Sequence, residues 1–80
     1  MHSAPTGHSS DVRMWLHIGS ATFPVLQSGG DAIKMNDPDS VPRGDAVLEI
    51  IVDGRPDRWP IRVLPTGPRP NWIAIEDRRT

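Results

Sequence analysis

The stretch Ala46-Val-Leu-Glu-Ile-Ile-Val-Asp-Gly-Arg-Pro-Asp-Arg-Trp-Pro-Ile-Arg-Val-Leu64 decides the fold. Two runs with strand-forming composition flank Asp53-Gly54, the dipeptide best suited to the two positive-φ positions of a type I′ turn. A two-residue turn also sets the register. It pairs Val52 with Arg55 and Leu48 with Trp59 on one face, and Glu49 with Arg58 and Asp45 with Arg62 on the other. Each opposite-charge pair is worth roughly 0.2–1 kcal/mol. In this register Pro56 and Pro60 occupy non-hydrogen-bonded sites, so their missing N–H groups point away from the partner strand. The outer side of residues 56–60 is therefore expected to be an open edge. Asp57 falls on the same face as Ile50, which requires that face to be wet near the turn. A longer loop across residues 53–57 is the alternative.

Upstream of the hairpin, Asp11 to Ile18 alternates with period two. Val12, Met14, Leu16 and Ile18 share one face, and Arg13, Trp15 and His17 the other. Gly19-Ser20 reads as a type II′ turn, and Ala21 to Leu26 as the returning strand, with Phe23 and Val25 on one face. Pro24 cannot donate to a ladder and either sits at a sheet edge or ends the pairing locally. Gln27 to Asp31 reads as a flexible turn, Ala32 to Met35 as a short strand, and Asn36 to Asp45 as a ten-residue loop punctuated by Pro38, Pro42 and Gly44. Downstream, Pro65 to Pro70 reads as a rigid connector and Asn71 to Glu76 as a last strand. No segment carries helical apolar spacing over ten residues, so no substantial helix is expected. The domain organisation expected is a disordered tail at 1–10, one β domain at 11–76 and a charged end at 77–80. The fold class is all-β: a small antiparallel meander of five to six strands, curled into a barrel or half-open barrel to cover its apolar face.

Eighty residues make one domain at most, and a chain of this size buries only about 60% of its unfolded surface. Nine prolines and seven glycines favour short elements and many turns. Nine basic and ten acidic side chains leave a net charge of −1, which supplies no global field for nucleic acid or anionic lipid. Eight of the nine cations are Arg, the composition of a GC-rich coding genome. Cysteine is absent, which removes disulfides, thiolate nucleophiles and thiolate metal sites and is compatible with a reducing compartment. No apolar run reaches ten residues, and residues 1–10 lack the features of a signal peptide, so a cytoplasmic location and no membrane are expected.

Candidate chemistry is sparse. Ser9, Ser10, Ser20, Ser28 and Ser40 are available as hydroxyls, but His17 is the only histidine inside the expected fold and no nucleophile-elbow motif accompanies it. His2, His8 and His17 follow no metal spacing. Asp31, Asp37, Asp39 and Asp45 read as turn formers rather than as a calcium loop, and no cofactor is expected. Trp15, His17 and Arg13 face outward together, and Arg58 and Arg62 make a second stripe. Acidic side chains accompany each arginine cluster, so nucleic acid is not expected as a partner.

The run Val25-Leu-Gln-Ser-Gly-Gly-Asp-Ala-Ile-Lys-Met-Asn36, the Pro-rich loop ending in Arg43-Gly-Asp45, and the hairpin that follows resemble the middle of a PilZ-type domain, over roughly residues 21–64. That resemblance implies a small β-barrel and binding of cyclic di-GMP. The ligand motifs depart from the family. Arg13 has no arginine four residues before or after it. Ser28 has Leu26 in place of Asp or Asn two residues before it, and Asp31 in place of Gly three after. The hairpin with Val-Asp-Gly-Arg and Arg-Trp-Pro-Ile is also similar to short bacterial proteins, a likeness that implies no activity.

The function expected is that of a non-enzymatic β module acting through protein contacts, with an unknown protein partner or as a homodimer. Its contact residues are Trp15 and His17 on one strand and Pro56 and Pro60 on the open edge. The alternative is a small-ligand or nucleotide-binding barrel of PilZ-like type with Arg43, Arg58 and Arg62 as anion contacts.

Overall fold

The computed structural model describes residues 11–67 and 70–79. The expected tail at 1–10, with His2, His8, Ser9 and Ser10, lies outside the described residues, as does Thr80. The elements are β1 (Val12–Ile18), β2 (Ala21–Val25), β3 (Gln27–Ser28), β4 (Ala32–Lys34), a 3-10 turn (Pro38–Ser40), β5 (Gly44–Val52), β6 (Arg55–Val63) and β7 (Trp72–Asp77). The protein is all-β, an antiparallel sheet curled into a half-barrel. Among the described residues seven strands are present where five to six were expected, because Gln27 and Ser28, read as a turn, pair with Lys34 and Ile33. The last strand runs one residue past the expected end of the domain, through Asp77.

The β5–β6 hairpin has the register read from its sequence. Leu48 opposes Trp59, Glu49 opposes Arg58, Asp45 opposes Arg62 and Val52 opposes Arg55. Asp53 and Gly54 take φ values of 50° and 82°, as a type I′ turn requires, so the longer loop across 53–57 is not formed. The Asp53 carboxylate also accepts from the Asp11 N–H at 3.0 Å, and the Asp53 N–H donates to the Asp11 carbonyl at 2.8 Å, which ties the start of β1 to the turn. At the other hairpin Gly19 has φ 59°, the positive value needed at the first central position of a type II′ turn.

The strand order is β2-β1-β5-β6-β7-β4-β3. Its two ends, β2 and β3, are successive pieces of one strand with only Leu26 between them. Leu26 donates its N–H to the Lys34 carbonyl at 2.8 Å, while Lys34 is the register partner of Gln27. Two residues thus face one, the arrangement of a β-bulge, which bends the strand and lets it leave β1 and join β4. This curls the sheet around Leu16, Ile33, Leu48, Ile61, Val63 and Ile73, all essentially inaccessible to solvent. Each such side chain contributes about 1.5–3 kcal/mol when fully buried. Met14, Ile18, Phe23, Ile50 and Trp59 pack around this cluster.

Candidate functional site

Because β1, β5 and β6 pair without a break, residues of one parity share the outer face of the sheet. One row reads Pro24, Trp15, Glu49, Arg58 across four strands, and the next reads Thr22, His17, Val47, Pro60. These two rows bring three of the expected contact residues, Trp15, His17 and Pro60, onto one surface. Pro56 joins them from the row of Arg13 and Ile51.

A chain of polar contacts ties the rows together. Thr22 Oγ1 lies 3.3 Å from His17 Nδ1. His17 Nε2 lies 2.7 Å from Glu49 Oε1, and Arg58 Nε donates to Glu49 Oε2 at 2.9 Å. A carboxylate only accepts, so the proton between His17 and Glu49 belongs to Nε2. When the ring carries that proton alone, Nδ1 accepts from the Thr22 hydroxyl. Glu49 is the sole buried charged residue among the described residues, with 5% of its surface accessible although it points away from the core. The His17 hydrogen bond, and after it the Arg58 hydrogen bond, hold its carboxyl below the usual value, against the opposing effect of burial. Both carboxylate oxygens are thereby satisfied, as a buried charge requires.

Thr22, His17 and Glu49 stand in the order hydroxyl, imidazole, carboxylate. Here the carboxylate is shared with Arg58, and the hydroxyl sits exposed on β2. The group therefore links four strands through their side chains. Beside it an open groove of about 590 Å³ is lined by His17, Val47, Pro60 and Arg78, among others.

The three arginines read as anion contacts do not converge. Arg43 spends its guanidinium on its own loop, donating to the Val41 carbonyl at 2.8 Å and to the Pro38 carbonyl at 3.1 Å. Arg58 is held by Glu49. Arg62 lies in register between Asp45 on β5 and Glu76 on β7.

β7 pairs with Ile61, Arg62 and Val63 of β6, just past the edge expected to be open at 56–60. The Arg78 N–H donates to the Pro60 carbonyl at 3.0 Å, extending that contact one position further. Pro60 has no N–H to return, which ends the ladder there. Of the outward positions 56, 58 and 60, only Arg58 has an amide donor.

The sequence reading lacks one participant, Thr22, and one contact, that of Glu49 with His17. Thr22 was legible in principle, since a two-residue turn at Gly19-Ser20 puts it opposite His17. Glu49 was paired with Arg58 correctly, but its contact with His17 depends on β1 lying against β5, which no local signal announces. Among the described residues no group of three or more His, Asp or Glu side chains is placed to hold a metal ion, and no helix is long and apolar enough to cross a membrane. Comparisons of the chain with protein-family models, curated proteins and solved structures return no match.

Proposed function

We propose that the protein is a non-enzymatic β module that acts through protein contacts made by the outer face around Trp15. The observation that supports this reading is the braced four-strand surface. Half-buried Trp15 stands between Pro24 and the pinned Glu49, next to Val47, which is 36% exposed, and to the groove at Pro60. An aromatic ring on a rigid sheet surface loses little freedom when a partner covers it, which is why such rings dominate contact surfaces. The face is a better contact than the edge, because a strand added beside residues 56–60 would meet a single amide donor.

The test compares the wild-type protein with a Trp15→Ala, Val47→Lys variant as bait in native extract. Proteins held by the wild type and lost by the variant are then purified and titrated against both. Saturable binding to the wild type, weakened at least about tenfold in the variant, supports the reading. Equal retention by both forms sinks it. So does saturable quenching of tryptophan fluorescence by cyclic di-GMP that is abolished in Arg43→Ala, which favours the nucleotide-binding alternative.

A further inference from the structure

The inner side of the sheet runs further than the core beneath it. Past Leu16, Leu48 and Trp59, the inner positions of β1, β5 and β6 continue as a row of Met14, Ile50 and Asp57 and a last row of Val12, Val52 and Arg55. The pairing of β7 with β6 reaches only Ile61 to Val63, so β7 does not extend across these rows. Val12 and Val52, direct register partners, are 50% and 41% exposed, and Met14 and Ile50 are half-buried behind them. Together they form an apolar strip, open to water, that continues the core outward. At its inner limit Arg79 covers Trp59, 4.6 Å from the ring centroid, and is held there by Asp77.

We infer that this strip is the contact between two copies of the chain, packed inner face to inner face about a two-fold axis. The charges on the strip favour a second copy over another partner. Arg55 and Asp57 are two residues apart on one strand and share the inner face. A two-fold operation about an axis between their rows sets the Arg55 of each copy against the Asp57 of the other. An isologous interface needs that self-complementarity, in which one surface carries both halves of every pair. The strip is about 14 Å wide, for three strands, and about 15 Å long. That is smaller than the roughly 800 Å² per partner of a durable complex, so the dimer is weak and dependent on concentration. This inference uses the opposite face of the sheet from the Trp15 surface and does not rest on that reading.

Sedimentation equilibrium of the full chain from micromolar to millimolar concentration, with circular dichroism to confirm folding, tests it. The expected result is a monomer–dimer equilibrium. Arg55→Asp and Asp57→Arg each weaken it by about tenfold or more through like-charge opposition, and the double exchange restores it. Val47→Lys on the outer face leaves it unchanged. Monomer at every concentration overturns the inference, as does a dimer that ignores the two single charge reversals or that Val47→Lys dissociates. The charge variants are at exposed positions next to the turn, so the test does not depend on a core substitution folding.

Discussion

The carboxylate of Glu49 stands 2.7 Å from Nε2 of His17, although the two residues are 32 positions apart and both sit on the side of the sheet turned away from the core. This contact joins β1 to β5 by side chains as well as by backbone. It makes a charged residue part of the fixed framework of a surface.

Acid sensitivity follows from it. Glu49 and Asp77 both have carboxyl values below their ordinary 4.5 and 3.8, the first chiefly through the His17 hydrogen bond and the second chiefly through the side-chain hydrogen bonds of Arg79. A lowered folded value means that the unfolded chain binds protons more readily. Their stabilisation is therefore complete above those ordinary values and is lost as pH falls through the lowered ones. Thermal melts from pH 6 to pH 2 are expected to show a falling Tm in the wild type and a shallower fall in Glu49→Gln and in Asp77→Asn. Parallel curves for all three would mean that neither contact matters to stability.

The order of the causes is itself testable. Removing the His17 imidazole should raise the Glu49 titration midpoint more than removing the Arg58 guanidinium, since the His17 bond is the larger influence. Carboxyl-carbon NMR titrations of His17→Ala and Arg58→Ala read this directly. A larger displacement in the arginine variant contradicts the assignment.

Two glycines separate steric from conformational cost. A Cβ on Gly67 would stand 1.7 Å from the Trp72 carbonyl oxygen, so Gly67→Ala must move the backbone at the start of β7, at a cost of about 3 kcal/mol. Gly30 has open space around it but a φ of 90°, and Gly30→Ala should cost about 1–2 kcal/mol from backbone conformation alone. Chemical denaturation of the two variants distinguishes them. A loss at Gly67 no larger than that at Gly30 would show that a small backbone shift relieves the close contact.

Core truncation should approach the limit of what so small a domain tolerates. Leu48 is 1% exposed and opposes Trp59. Leu48→Ala is expected to cost about 2–5 kcal/mol, against a total of about 4–12 kcal/mol for a domain of this length. Urea unfolding should place the variant near or below the threshold for remaining folded at 37 °C. An unchanged midpoint would show that the barrel collapses onto the gap.

Opening the edge should have a cost of a different kind. Pro56 removes one outward donor from a stretch of β6 that β7 does not cover. Pro56→Val supplies that donor and is expected to promote strand-to-strand association on prolonged incubation, read by light scattering. Scattering equal to wild type at millimolar concentration would mean that the edge is protected by something other than the proline.

How much of this was legible in the sequence depends on distance along the chain. The β5–β6 register was readable to the residue, because alternation and the Asp53-Gly54 turn are local and agree with each other. The β1–β2 turn at Gly19-Ser20 was readable for the same local reason, though its residue pairs were not drawn from it. The packing of β4 against β7, where Ile33 meets Ile73, was not readable, because partners so far apart are chosen by the shape of the whole core. Gln27 and Ser28 were missed as a strand because two polar residues beside Gly29-Gly30 have the composition of a turn. They are extended only because β4 lies beside them. The strip of Val12 and Val52 was half visible, in that Asp57 on the Ile50 face already required water there.

The bend at Leu26 has a consequence for how the chain reaches this state. Strand 21–28 belongs to two hairpins at once, one turning at Gly19-Ser20 and the other at Gly29 to Ala32, where the Gly29 N–H bonds the Ala32 carbonyl. These hairpins and β5–β6 can each form within about 1–10 μs, since their partners are near neighbours in the chain. The ladders that join them, Met14 to Ile50 and Ile33 to Ile73, close much longer loops and come later. A loss of geometry at Leu26 should therefore slow refolding while leaving the hairpins themselves intact, because its role is to set the angle at which two pre-formed pieces meet.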